Sequence, residues 1–128
     1  MIDRRPLGKS FLYAVEGVYY AFKNNQNLRI HTIVGIIVIL VGLGLGVTEF
    51  ELAILGVMIL LVVSSEMINT SIEQMVDLIV NEHRKEAKIA KDVGAGMVLI
   101  TSVGAAIVGL LIIVPYILKF LRALNIFN

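Results

Sequence analysis

Cysteine is absent from this chain, which excludes disulfides, a thiolate nucleophile and any metal site built on sulfur. The redox compartment is unreadable for the same reason. Charge is sparse as well: Asp, Glu, Lys and Arg make up 16% of 128 residues, against 58% hydrophobic ones, and the mean hydropathy is +0.89. A soluble domain of this size carries more charge than that, so the membrane class leads. A short chain cannot hide so much apolar surface in its own core, and the excess must face lipid or identical neighbours. The net charge of +1 gives no reason to expect a nucleic-acid partner. No signal peptide is expected, because the start is polar and basic and the first long apolar run has no small-residue cleavage site behind it. Internal repeats and low-complexity segments are missing too. Gly94-Ala95-Gly96 is too short for a dinucleotide-binding or Walker signature, and tight helix packing is its simpler role.

What is present reads as an all-α membrane protein, a single embedded domain over residues 1–128. Residues 1–9 are expected to be a basic, poorly ordered leading segment. From about 10 to 24 the pattern is amphipathic, with Phe11, Tyr13, Val15, Val18 and Tyr19 opposed by Glu16 and Lys23. That run is too short to span a bilayer, so it predicts a helix lying at the membrane surface, with its tyrosines at headgroup level. Asn24 to Asn27 is a polar break. Three spans follow, at about 30–46, 51–80 and 93–118, joined by a short turn at 47–51 and a charged connection at 81–91. A span needs ~20 apolar residues, so the second helix is longer than one bilayer and its last turns should reach water. Pro115 falls near the end of the third span. Arg4, Arg5, Lys9, Lys23 and Arg29 share one side with Arg84, Lys85, Lys88 and Lys91, against only Glu49 and Glu51 in the opposite turn. The excess predicts that the N-terminus and the 81–91 connection are cytoplasmic, although Lys119 and Arg122 fall on the other side.

The most informative stretch is Glu66 to Asp77. At about 100° per residue, Glu66, Asn69, Glu73 and Asp77 fall within roughly 80° of each other, in one stripe along the helix. Carboxylates that directly follow an apolar run are costly to bury and usually have a partner or a task. Glu73 and Asp77, one turn apart, offer hard oxygen donors of the kind Mg²⁺ takes together with water and phosphate. Glu66 lies about 10 Å deeper along the helix axis and could take a proton from a hydroxyl. Lys91, at the depth of Asp77, could neutralise phosphate charge, which is most of what phosphoryl transfer asks of a protein. Other readings stay open. The stripe could be a structural hydrogen-bond network, Lys91 and Asp92 could simply pair, and His31 could be an interfacial polar residue with no ligand. A proton-coupled transporter subunit could use Glu66 as its intramembrane carboxylate, and a non-catalytic oligomer is a further possibility.

Two blocks add specificity: Glu66-x-x-Asn69-x-x-x-Glu73-x-x-x-Asp77, and Ala90-Lys91-Asp92-x-Gly94-Ala95-Gly96-x-Val98-Leu99. Together they resemble the prokaryotic diacylglycerol kinase family of small integral membrane lipid kinases. Asn27-x-Arg29-Ile30-His31 resembles its undecaprenol kinase branch. The resemblance implies a homotrimer in the bacterial cell membrane, with active sites shared between subunits. Its substrates would be MgATP and a lipid alcohol, undecaprenol ahead of diacylglycerol. By position it implies Glu66 as general base and Glu73 as metal ligand, supported by Asn69 and Asp77. Lys91 and Asp92 would lie on the phosphate and ribose side, with Glu82 near the adenosine. One position departs: the family has a metal-binding glutamate at the end of the surface helix, where this chain has Asn25. A neutral amide there implies weaker Mg²⁺ binding, lower turnover or a compensating group.

Overall fold

A computed structural model of the chain describes residues 6–80, 82 and 84–124. Arg4 and Arg5, which enter the charge count above, and His83, within the charged connection at 81–91, lie outside the described residues. Among those described, the chain forms four helices and no strand: α1 (Leu7–Asn24), α2 (Gln26–Leu45), α3 (Glu49–Ile79) and α4 (Lys85–Ala123). Three of them, α2, α3 and α4, are long and apolar enough to cross a membrane.

The helix boundaries have local causes. At Asn25 the backbone leaves helical geometry, and the Asn25 side chain accepts a hydrogen bond from Leu28 N at 3.0 Å, which caps α2. Gly46 ends α2 in the left-handed region at φ 70, a conformation glycine adopts at no steric cost. Thr48 and Glu51 form a reciprocal capping box that starts α3 at once, so most of the turn expected at 47–51 is already helix. On the other side, α4 begins at Lys85, well before the apolar run, and takes in most of the charged connection at 81–91. Lys85, Glu86, Ala87 and Lys88 are good helix formers, and their charge marks contact with water rather than loss of helix. Pro115 lies within α4, which continues to Ala123.

α3 is the central element. It packs most extensively on α4 and next on α2, while α1 reaches the bundle only lightly. All residues of α1 from Leu7 to Tyr20 are exposed, and Ala21 in its last turn is the buried one. The interior of the single chain is thin, with Leu28, Leu55, Val62 and Val98 as its main apolar members. Ile33, Ile36, Leu40, Leu60, Ile100 and Leu111 point outward. In mid-bundle the Ser65 and Thr101 hydroxyls meet at 2.8 Å and link α3 to α4, a polar rung of the kind that joins helices in lipid.

Candidate active site

The stripe on α3 runs from a buried end to a wet one. Glu66 is 1% exposed and Asn69 7%, Glu73 is half-buried and Asp77 is exposed. Along this gradient the side chains find partners on different helices. Glu66 turns toward the α1–α2 junction: its Oε2 accepts from Asn25 Nδ2 at 3.2 Å, and its Oε1 lies 3.5 Å from His31 Nε2. Asn25 Nδ2 also donates to Thr70 Oγ1 at 2.6 Å. Asn69 turns toward α4, and its Nδ2 donates to Glu73 Oε1 at 3.0 Å. At the wet end Lys91 of α4 donates to Asp77 Oδ1. An exposed ion pair adds little stability, so this one matters for where it holds an ammonium group.

Asn69 Oδ1 is buried and has no hydrogen-bond partner. Buried polar atoms in folded proteins are nearly always paired, so an orphaned oxygen marks a place where something else binds or where strain is held. It lies against Gly94 of α4: a Cβ on that residue would sit 2.5 Å from Asn69 Oδ1. Gly94 is therefore the residue that lets α4 come down onto the stripe.

Two spaces lie along α3, and the stripe borders one of them. A cleft of about 590 Å³ runs between α2, α3 and α4, lined by Val34, Val38, Leu55, Met58, Ile113 and other apolar groups, with His31 and Ser102 as its polar lining. Glu66 does not line this cleft, but His31 does, and its Nε2 lies 3.5 Å from Glu66 Oε1. A second, more polar space of about 430 Å³ lies at the wet end, lined by Asp77, Glu82, Arg84, Lys88 and Lys91 with Val76, Val80 and Ala87.

The residues singled out from sequence thus fall into three groups. Glu66 and Asn25 meet at the buried end. Asn69 and Glu73 pair in the middle. Asp77 and Lys91 pair at the rim, with Glu82 lining the same space and its carboxylate 4.0 Å from Arg84. Lys91 pairs with Asp77 across the two helices, and Asp92, the next residue, is exposed. His31 and Thr70 are members that spacing did not reveal. His31 lies 35 positions before Glu66, and only its place in the Arg29-Ile30-His31 segment hinted at a role.

The donor set suits a hard cation that brings its own phosphate ligands. Glu73 supplies a carboxylate and Asn69 an unused amide oxygen. No group of three or more His, Asp or Glu among the described residues could form a protein-only cage. Mg²⁺ ordinarily binds through one or two carboxylates plus water and phosphate, so the residues fit it.

A profile described as prokaryotic diacylglycerol kinase matches residues 12–113. The chain is 42% identical over 113 residues to a diacylglycerol kinase of Synechocystis sp., an alignment that covers 88% of this chain and 65% of that protein. It is 36% identical over 107 residues to the undecaprenol kinase of Bacillus subtilis, covering 84% of this chain and 87% of that protein. A diacylglycerol kinase of Haemophilus influenzae is 33% identical over 88 residues, covering 69% and 75%. With most of its length inside the profile, and both blocks of the stripe region included, the chain belongs to the prokaryotic diacylglycerol kinase family.

Proposed function

We propose that the protein transfers the γ-phosphoryl group of ATP to the hydroxyl of a membrane lipid alcohol. The observation that carries this reading is the gradient along α3: a buried carboxylate next to an apolar cleft, joined within one stripe to exposed phosphate-handling groups. The lipid chain occupies the cleft and brings its hydroxyl to Glu66. Glu66 takes the hydroxyl proton as the lipid oxygen bonds to the γ-phosphorus, and the bond from that phosphorus to the bridging oxygen of ADP breaks. Lys91 and Asp77 hold the phosphate end, while Glu82 and Asp92 lie on the nucleoside side. Glu73 and Asn69 would hold Mg²⁺, which supplies neutralisation of phosphate charge when bound. Asn25, standing where the resemblance implies a glutamate, contributes no negative charge to that metal. Asn25→Glu is therefore expected to lower the Mg²⁺ concentration needed for half-maximal rate. An unchanged requirement would remove position 25 from the metal site.

The same reading places α1 on the membrane surface, with its exposed Phe11, Tyr13 and Tyr19 at headgroup level, and the Asp77 end toward the cytoplasm. It also places the outward apolar faces of α2 to α4 against lipid and two further copies, in a homotrimer that shares its sites.

We take undecaprenol as the acceptor because of the Arg29-Ile30-His31 segment. Diacylglycerol is the second reading, since relatives bearing both names resemble this chain. Radiolabelled ATP supplied to the purified protein in micelles, with undecaprenol and diacylglycerol side by side, decides between them. The expected result is label in undecaprenyl phosphate; label in neither lipid sinks the kinase reading.

A further inference from the structure

A carboxylate that is 1% exposed within a membrane helix is held in place by whatever hydrogen bonds reach it, because water does not. At Glu66 both oxygens have a nitrogen neighbour from outside α3, and both neighbours come from one short segment, Asn25 and His31. Asn25 is itself fully committed. Its oxygen caps α2 through Leu28 N, while its amide nitrogen donates to both Thr70 Oγ1 and Glu66 Oε2. The Thr70 hydroxyl in turn donates to Glu66 O at 2.9 Å. The asparagine therefore cannot rotate without giving up the start of α2. That fixes its amide as a donor toward Oε2. His31, one turn into α2, stands on the other side, and its half-buried ring lies between Oε1 and the apolar cleft.

We propose that Asn25 and His31 are positioning residues that clamp the Glu66 carboxylate from both sides. Asn25 sets the plane of the group through Oε2, and His31 holds Oε1 turned toward the cleft. The proposal rests on Glu66 being the base. It assigns Asn25 a task that an ionised carboxylate at that position could not perform, since a carboxylate has no N–H to donate to Glu66 Oε2. The proton of the acceptor goes to Glu66, and neither clamp residue exchanges one.

The test uses the full chain in micelles with undecaprenol and diacylglycerol as acceptors. His31→Leu removes the ring nitrogen near Oε1 at similar bulk, and His31→Gln keeps an N–H. Asn25→Asp keeps the acceptor that caps α2 but removes the donor to Glu66. Asn25→Asp, which removes a hydrogen bond to a charged group, and His31→Leu, which removes the 3.5 Å nitrogen contact, should each lower kcat about tenfold or more, with KM for MgATP unchanged in His31→Leu. His31→Gln should recover most of the His31→Leu loss. Within a Glu66→Gln background His31→Leu should cost nothing further. A second readout does not depend on turnover: the carboxylate stretching band in the infrared difference between wild type and Glu66→Gln. That band should shift in His31→Leu and Asn25→Asp and stay in place in His31→Gln. A band that moves in neither overturns the clamp, as does a kcat loss equal in His31→Leu and His31→Gln. If Glu66→Gln retains full activity, it is the base assignment that fails, and the infrared band still reports on the clamp.

Discussion

The two ends of α3 are both polar, yet they are built differently. At the Thr48 end, Glu51 Oε2 accepts from the Thr48 N–H at 3.1 Å, the Thr48 hydroxyl at 2.6 Å and the Tyr116 hydroxyl at 2.7 Å. One carboxylate oxygen there starts a helix and ties α4 to the α2–α3 turn. At the Glu66–Asp77 end the network is incomplete. Asn69 Oδ1 is buried and unpaired, and the exposed Asp77 borders an open polar space. A closed set of hydrogen bonds stabilises the structure that contains it. An open set that borders a polar cavity leaves bonding capacity for something that arrives. The difference makes the Glu66–Asp77 end the candidate site and the Thr48 end a staple, without appeal to any relative.

The comparison is sharpened most by Glu66→Gln. It keeps the shape and an acceptor for Asn25, but cannot take a proton at neutral pH. Lipid phosphorylation is expected to fall by roughly 10²–10⁴, the range typical of a lost general base, while ATP binding measured by equilibrium titration is retained. Loss of nucleotide binding in this variant would mean that the buried end is structural like the other. Gly94→Ala should come next. Its Cβ would sit 2.5 Å from Asn69 Oδ1, so Asn69 must swing away from Glu73 or α4 must lift off the stripe. Overpacking of this kind costs about 1–3 kcal/mol, and about tenfold or more in turnover is expected to follow. Gly96→Ala on the same helix meets nothing within 4 Å and should stay within about twofold of wild type, as substitutions away from packed features do. Equal effects of the two alanines would show that the close approach at Asn69 has no bearing on turnover.

Much of this architecture was legible in the residues because the bilayer imposes length and polarity on each helix. The three helices long and apolar enough to cross a membrane follow from apolar runs, and the gradient from Glu66 to Asp77 follows from a stripe that emerges from one of them. Spacing within a single helix carries that information. Contacts between helices do not show in it. That Glu66 faces His31, that Asn69 rests on Gly94 and that Tyr116 reaches Glu51 across 65 positions all depend on how α2 and α4 lean on α3. The start of α4 at Lys85 escaped for a different reason: in a membrane protein, charge resembles a loop while helix propensity says otherwise.

The smallest expected effect lies at the staple, and it tests the other half of the contrast. Tyr116→Phe removes one hydroxyl and nothing else, leaving Glu51 Oε2 with its two bonds to Thr48. The capping box survives, so α3 should still start at Glu49. What is lost is the tie between α4 and the α2–α3 turn, far along α3 from Glu66. The melting temperature in micelles should fall by a few degrees, with kcat and both KM values unchanged. If turnover drops instead while the melting temperature holds, the two ends are coupled through α4. The Thr48 end would then have to be counted as part of the catalytic apparatus, because a change there would be felt where α4 carries Gly94 and Lys91 onto the stripe.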